Sequence, residues 1–116
     1  MKQNEIKLYE ARADIIKALA HPSRLYIVDV LNKGEKTVGE LTEMIGADTS
    51  TVSKHLSVLK NAGILEDEKR GTAVIYTLKC PCILDFISCI EEVIESNTKS
   101  QVEILKCCKT RPGRKK

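Results

Sequence analysis

Two short helices that meet across a tight turn, with a β-hairpin directly after them, constrain the fold of this chain more than any other feature. Thr37-Val38-Gly39-Glu40 has the form of a capping box, in which the threonine hydroxyl and the glutamate carboxylate satisfy unpaired N–H groups at a helix start. Gly46 suits the left-handed conformation that ends such a helix. Asp48 is placed to cap the next helix, which ends near Gly63. A helix pair joined by a turn of about three residues is the frame of a helix-turn-helix.

Beyond this helix pair the apolar period changes from helical to alternating, which predicts a strand pair over residues 64–78. Its tip is Lys69-Arg70-Gly71-Thr72, where the glycine can take a positive φ. Apolar spacing also predicts a first helix over residues 6–19 and a second from Pro22 to Gly34. The predicted fold is therefore mainly α with a small β-hairpin wing, a winged helix-turn-helix.

The last predicted helix, over residues 81–106, carries a broad apolar stripe that no later element could cover. Such a stripe indicates that a second copy of the chain covers it. The chain length of 116 residues suits one domain, predicted over residues 1–108. The tail 109–116 carries five cations with Pro and Gly, and it is expected to be disordered. The stripe consists of Ile83, Phe86, Ile87, Ile90, Val93 and Ile94.

Composition narrows the class of partner. Aromatic residues make up only 3% of the chain, so the stacking platforms that bind single-stranded nucleic acid are missing and duplex DNA is the better candidate. The net charge of +3 is too small to prove a polyanionic partner. No segment approaches the roughly 18 consecutive apolar residues of a membrane span, and the N-terminus lacks the apolar run of a signal peptide. The chain is expected in the cytoplasm.

The predicted fourth helix, over residues 49–62, carries short hydroxyl side chains and a lysine away from its apolar face. A helix-turn-helix inserts the first half of this helix into the major groove, where hydroxyls reach phosphates or base edges. The hairpin tip adds cations where a wing would reach flanking phosphates or the minor groove. A solvated helix face is the alternative, which the short turn, the two caps and the cationic tip disfavour. The predicted DNA contacts are Thr49, Ser50, Thr51, Ser53, Lys54, His55, Ser57, Lys69 and Arg70.

Four segments within residues 10–95 form a recognisable pattern: Ala20-His21-Pro22-Ser23-Arg24-Leu25, Thr51-Val52-Ser53-Lys54-His55-Leu56-Ser57-Val58-Leu59, Ala62-Gly63-Ile64, and Arg70-Gly71 through Tyr76-Thr77-Leu78. Together they resemble the ArsR/SmtB family of metal- and stress-responsive repressors. The resemblance implies a winged helix homodimer, joined through its first and last helices, that an inducer releases from a promoter. It also implies that His55 lies beside the DNA-facing surface, where it contacts DNA or packs between helices, with metal binding there less favoured.

The two best-known metal sites of that family are absent from this sequence. The arsenic-type site needs cysteines where Thr42 and Met44 stand, and the zinc-type site needs histidines on the last helix, which has none. Five cysteines remain as candidates. Their thiolates favour soft ions such as As(III), Cd(II), Pb(II), Zn(II) or Cu(I), and they equally permit disulfide or persulfide chemistry. They are Cys80, Cys82, Cys89, Cys107 and Cys108.

Spacing indicates how these thiols could combine. Cys82 and Cys89 lie about 10 Å apart along one helix, so they cannot share an ion. If the last helix crosses its two-fold mate in antiparallel fashion near residues 93 and 94, Cys80 and Cys82 face Cys107 and Cys108 of the partner subunit. The hypothesis is an intersubunit thiolate site, present twice per dimer. Occupation of this site would shift the spacing between the two recognition helices of the dimer, which are the predicted fourth helices over residues 49–62. Pairing within Cys80-Pro81-Cys82 or Cys107-Cys108 competes with it, and Cys89 is expected to be mostly buried as a small hydrophobe.

Other functional classes have less support. An enzyme is disfavoured because the two histidines lie at a helix joint and on the proposed DNA face, and no spacing suggests a nucleophile with its base. A winged-helix adaptor that does not bind DNA would use the same fold. The sequence therefore favours a DNA-binding repressor released by a cysteine-directed signal. As(III) or another soft metal ion is the first candidate inducer, and thiol redox or persulfide sensing is the alternative.

Overall fold

The computed structural model describes residues 1–97, which form five α-helices and three β-strands. Contacts group the chain into two compact units that divide between Cys80 and Pro81. The end of the last predicted helix, the thiols Cys107 and Cys108 and the tail 109–116 lie outside the described residues. The elements in chain order are α1 (Gln3–Leu19), α2 (Pro22–Lys33), β1 (Lys36–Thr37), α3 (Val38–Ile45), α4 (Thr49–Asn61), β2 (Leu65–Arg70), β3 (Ala73–Leu78) and α5 (Ile83–Asn97).

Side chains cap the starts of α2 and α3, whereas Asp48 occupies the N-cap position of α4 without a side-chain cap hydrogen bond. At α3 the hydroxyl of Thr37 accepts from the backbone N of Glu40 at 3.0 Å, and the Glu40 carboxylate accepts from the backbone N of Thr37 at 2.8 Å. Gly46 ends α3 with a φ of 79°, in the left-handed region. At α2 the ring Nδ1 of His21 accepts from the backbone N of Ser23 at 3.0 Å, so His21 is the N-cap of that helix. The capping box and the terminating glycine are therefore confirmed.

The wing is part of a three-stranded antiparallel sheet in the order β1-β3-β2. β2 and β3 pair from Leu65 opposite Leu78 to Arg70 opposite Ala73, which leaves a two-residue turn in which Gly71 has a φ of 62°. The predicted hairpin is confirmed. β1 was not predicted, because a strand of two residues is too short to show an alternating pattern.

The core of the first unit lies between α2, α3, α4 and the sheet. The largest fully buried side chains come from α2, α3, α4 and the first position of β2, and they leave the polar side of α4 on the outside. This packing fixes α4 against the rest of its unit, which is what a helix that reads another molecule requires. No helix within residues 1–97 is long and apolar enough to cross a membrane. The fully buried side chains are Ile27, Val28, Leu41, Val52, Leu56, Leu59 and Leu65.

Candidate nucleic-acid interface

α4 separates an apolar face from a polar one, as its sequence predicts. Val52, Leu56 and Leu59 are fully buried, and they follow one another at helical spacing. Ser53 is half-buried on the flank between the two faces. The outer face of its first half presents short hydroxyls and the ammonium group of Lys54 to solvent, which is the composition that can approach DNA closely. The exposed members of the predicted set on this helix are Thr49, Ser50, Thr51, Lys54 and Ser57.

The first turn of α4 holds two of the predicted hydroxyls beside a carboxylate. Ser50 Oγ donates to Asp48 Oδ2 at 2.9 Å. Hydrogen bonds from Thr51 and Ser50 lower the pKa of Asp48 below its usual value. Because the Ser50 hydroxyl proton points at Asp48, the Ser50 oxygen keeps its lone pairs as acceptors. Such oxygens suit the amino groups of adenine or cytosine better than they suit phosphate.

His55 departs from the predicted contact set. Its side chain is buried, with 8% exposure, and its Nδ1 accepts from Arg24 Nε at 3.1 Å. The rings of His21 and His55 lie 4.3 Å apart at their centroids. Of the two roles predicted for His55, packing between helices describes its place, and its 8% exposure leaves little surface for a DNA contact. The spacing could have shown this, because His55 follows Val52 by three positions and precedes Leu59 by four.

Arg24, for which the sequence predicts no role, joins α4 to two other helices. It belongs to α2, its Nε reaches His55 on α4, and its Nη1 lies 3.5 and 3.4 Å from the carbonyl oxygens of Lys17 and Ala18 at the end of α1. Burial, and then the neighbouring His21 and Arg24, lower the pKa of His55. A neutral imidazole is the form that can accept this bond, so the low pKa and the hydrogen bond support each other.

The two predicted wing cations differ in their surroundings. Arg70 forms a bidentate pair with Glu35, at 2.7 and 3.2 Å, and also contacts Glu68 at 3.2 Å. Hydrogen bonds to Glu68 and Glu35 raise the pKa of Arg70 above its ordinary value. Lys69 is exposed and forms no ion pair with any carboxylate of residues 1–97. Lys69 is therefore open to a phosphate, whereas the Arg70 guanidinium is already held.

The described cysteines occupy different environments. Cys80 is half-buried, and its thiol donates to the carbonyl oxygen of Gly63, just after α4, with the atoms 3.8 Å apart. Cys82 is exposed. Cys89 is also exposed, so the expectation that it is mostly buried is wrong. The buried residues of α5 are Ile87 and Ser88. Cys89 follows Ser88 and is rotated from it by about 100° around the helix axis, which turns its side chain away from the buried face.

The described residues do not by themselves form a metal site. Within residues 1–97 no group of three or more His, Cys, Asp or Glu side chains is arranged to hold an ion. The predicted set consists of Cys80, Cys82, Cys107 and Cys108. Of these, Cys107 and Cys108 lie outside the described residues. The intersubunit thiolate site thus stays a prediction.

A capped helix pair whose second helix exposes hydroxyls and a lysine, followed by a short sheet, defines the winged helix-turn-helix class of DNA-binding proteins. Residues 21–67 match the bacterial regulatory protein arsR family. The uncharacterized HTH-type transcriptional regulator Rv0081 of Mycobacterium tuberculosis is 32% identical over 99 residues, which cover 84% of this chain and 87% of the relative. The transcriptional repressor SdpR of Bacillus subtilis is 31% identical over 75 residues, covering 65% of this chain and 83% of the relative.

Solved structures agree with these sequence matches. The crystal structure of Rv0081 has a TM-score of 0.70 and 32% identity, and the match covers 82% of this chain and 96% of that one. The homodimeric winged helix-turn-helix DNA-binding domain Mb0332 of Mycobacterium bovis, solved by NMR, has a TM-score of 0.70 and 27% identity, with 82% and 88% coverage. The chain belongs to the ArsR family and is a DNA-binding transcriptional repressor, not an enzyme.

Proposed function

We propose that this chain binds operator DNA as a homodimer, with α4 in the major groove, and leaves the operator when a signal acts on its cysteines. The observation that carries the DNA-binding part is the exposed polar face of α4 behind a fully buried apolar face. Thr51 and Ser53 contribute hydroxyls, and Lys54 contributes the charge that attracts phosphate. Lys69 extends this surface to the wing.

The homodimer is supported by apolar side chains that each unit leaves exposed. On α1, Leu8 and Tyr9 have 48% and 53% of their surface exposed, and on α5, Phe86 and Val93 have 42% and 56%. Exposed apolar side chains that recur on one helix are typical of interaction surfaces rather than of monomer exteriors. The related Mb0332 domain is homodimeric in solution. A two-fold dimer presents two recognition helices, which suits a palindromic operator.

DNA binding is tested by fluorescence anisotropy with duplexes selected from a random-sequence pool. Alanine at Thr51, Ser53 or Lys54 is expected to abolish selective binding without lowering Tm, and binding by the unaltered protein should weaken steeply with salt. Lys33→Ala is the matched control, because it removes one exposed cation at the end of α2. Selective binding that survives the α4 substitutions would favour an adaptor that does not read DNA.

The inducer part of the proposal depends on thiol chemistry. Cys80 donates to the carbonyl oxygen of Gly63, directly after α4, so a bond formed at this sulfur removes the hydrogen from a contact at the end of the recognition helix. Soft thiophilic ions form such bonds, with As(III) first and Cd(II), Pb(II) or Zn(II) next. Persulfide or disulfide formation would act on the same atom. Cys82, Cys107 and Cys108 complete the proposed set.

Titration of the reduced protein on its duplex separates these inducers. Arsenite, Cd(II) and a persulfide donor are added in parallel, and mass spectrometry distinguishes a bound metal from an added sulfur. Replacing Cys80, Cys82, Cys107 and Cys108 by serine is expected to abolish release, whereas Cys89→Ser, the control outside the set, keeps it. If the fourfold variant responds like the original protein, cysteine sensing is wrong while DNA binding stands.

A further inference from the structure

The hairpin that carries the wing is not a basic element in its charge balance. β2 contains Glu66, Asp67 and Glu68 beside Lys69 and Arg70, and β3 contains no charged residue. The hairpin therefore carries more carboxylates than cations. Asp67 is paired with Lys60 of α4 at 3.1 Å, which ties the base of the hairpin to the recognition helix. Because carboxylates outnumber cations here, the tip attracts a phosphate only when the positive charge of Arg70 is available to it.

Arg70 is directed back over the sheet instead of out from the tip. Its bidentate partner Glu35 precedes β1, and β3 separates β1 from β2, so the pair spans the central strand. Glu68, two residues before Arg70 on the same strand, takes a third and a fourth N–H. A guanidinium has five N–H donors, so one is left. A bidentate contact with a phosphate needs at least two.

We propose that Glu35 and Glu68 form an acidic latch that withholds Arg70 from DNA and so sets the phosphate affinity of the wing. This inference rests on the proposed role of the wing in DNA binding. In the latched protein Lys69 is the wing cation that meets phosphate, and Arg70 joins only when phosphate displaces Glu35. The exchange is feasible because Arg70 and Glu35 are half-exposed, at 48% and 46%, and exposed ion pairs are weak.

A consequence of the latch is that Glu35, which lies outside α4 and the wing hairpin, controls affinity without touching DNA. Breaking the exposed ion pair of Arg70 with Glu35 lowers the DNA-binding constant about two- to fivefold. Without Glu35 there is no pair to break, so the DNA-binding constant rises by the same factor. Each additional phosphate contact also steepens the dependence of log K on log salt by about 0.9. Because phosphate contacts carry no sequence information, the gain should be equal for selected and unselected duplexes.

The test compares Glu35→Gln with Glu66→Gln, which removes the same charge from an exposed position of β2 that has no contact with Arg70. Affinity is measured by anisotropy over a salt series, on a selected and an unselected duplex. Glu35→Gln is expected to bind both duplexes about two- to fivefold more tightly than the original protein, with a steeper salt slope, and Glu66→Gln to change less. When Arg70→Gln is also present, Glu35→Gln and Glu66→Gln should have the same DNA affinity and the same salt slope.

Three results overturn the latch. The first is equal behaviour of Glu35→Gln and Glu66→Gln, and the second is an effect of Glu35→Gln that persists without Arg70. The third is weaker binding by Glu35→Gln, which would mean that Glu35 orients Arg70 for a contact instead of withholding it. Failure of DNA binding itself is recognised separately, because the original protein would then bind the selected duplex no better than the unselected one.

Discussion

Truncation of His55 distinguishes its packing role from a role in DNA contact. His55→Ala removes a buried acceptor from Arg24 Nε, and hydrogen bonds to charged groups contribute about 1.5–3 kcal/mol. It also leaves a void beside the ring of His21, which adds to the loss. The free energy of unfolding is therefore expected to fall by at least about 2 kcal/mol, which lowers Tm by roughly 10 °C in a domain of this size.

The measurement is thermal unfolding followed by circular dichroism at fixed protein concentration, since dimer stability depends on concentration. Ser57→Ala, on the exposed face of the same helix, is the control and should stay within about 0.5 kcal/mol of the original protein. His55→Asn keeps an acceptor near the position of Nδ1, so it should recover part of the loss. If His55→Ala left Tm unchanged and abolished DNA binding, the packing role would be refuted and direct contact restored.

The same residue predicts a pH dependence. Because the pKa of His55 is lowered in the folded protein from its ordinary 6.5, the unfolded chain binds the proton more readily. The stabilisation from neutral His55 is therefore complete above that ordinary value and is lost as the pH falls below it. The free energy of unfolding should fall as the pH is lowered from about 7.5 through the ordinary 6.5 and on through the lowered pKa of His55, and less steeply for His55→Asn, which does not titrate. Parallel pH profiles for the two proteins would contradict this assignment.

Three further predictions address other elements. Thr37→Ala removes the capping box of α3 and should cost about 1 kcal/mol of unfolding free energy in urea titrations, whereas Thr72→Ala at the wing turn should cost less; equal losses would contradict the cap. Gly71→Ala should cost about 1 kcal/mol from its φ of 62° alone, since a Cβ there meets no atom within 4 Å; an unchanged Tm would show that the turn adapts. Val93→Glu on α5 should lower the mass found by sedimentation to that of one chain, while Glu95→Gln should not; an unchanged dimer would place the interface elsewhere.

Local signals in the sequence predicted most of the fold. The capping box at Thr37 and the left-handed Gly46 act through bonds within four residues, so the chain displays them directly. Partners distant in sequence gave no such signal. Arg70 meets Glu35 from 35 positions away, and Arg24 meets His55 from 31. For His55 the sequence leaves DNA contact and packing between helices both open, and its spacing with the buried Val52 and Leu59 favours packing.

The contacts of α4 also suggest where a thiol signal would act first. The middle of the helix is held by His55 through Arg24, which in turn contacts the last carbonyls of α1. The end of the helix meets Cys80 through Gly63 O, and Lys79 N donates to Ile64 O at 2.9 Å beside it. A bond formed at the Cys80 sulfur would therefore disturb the C-terminal end of α4. The hydrogen bond from Arg24 to His55 would meanwhile keep the middle of α4 in place. A tilt of α4 about His55 is the expected response, and His55→Asn, which weakens that hydrogen bond, should lower the inducer concentration needed for release.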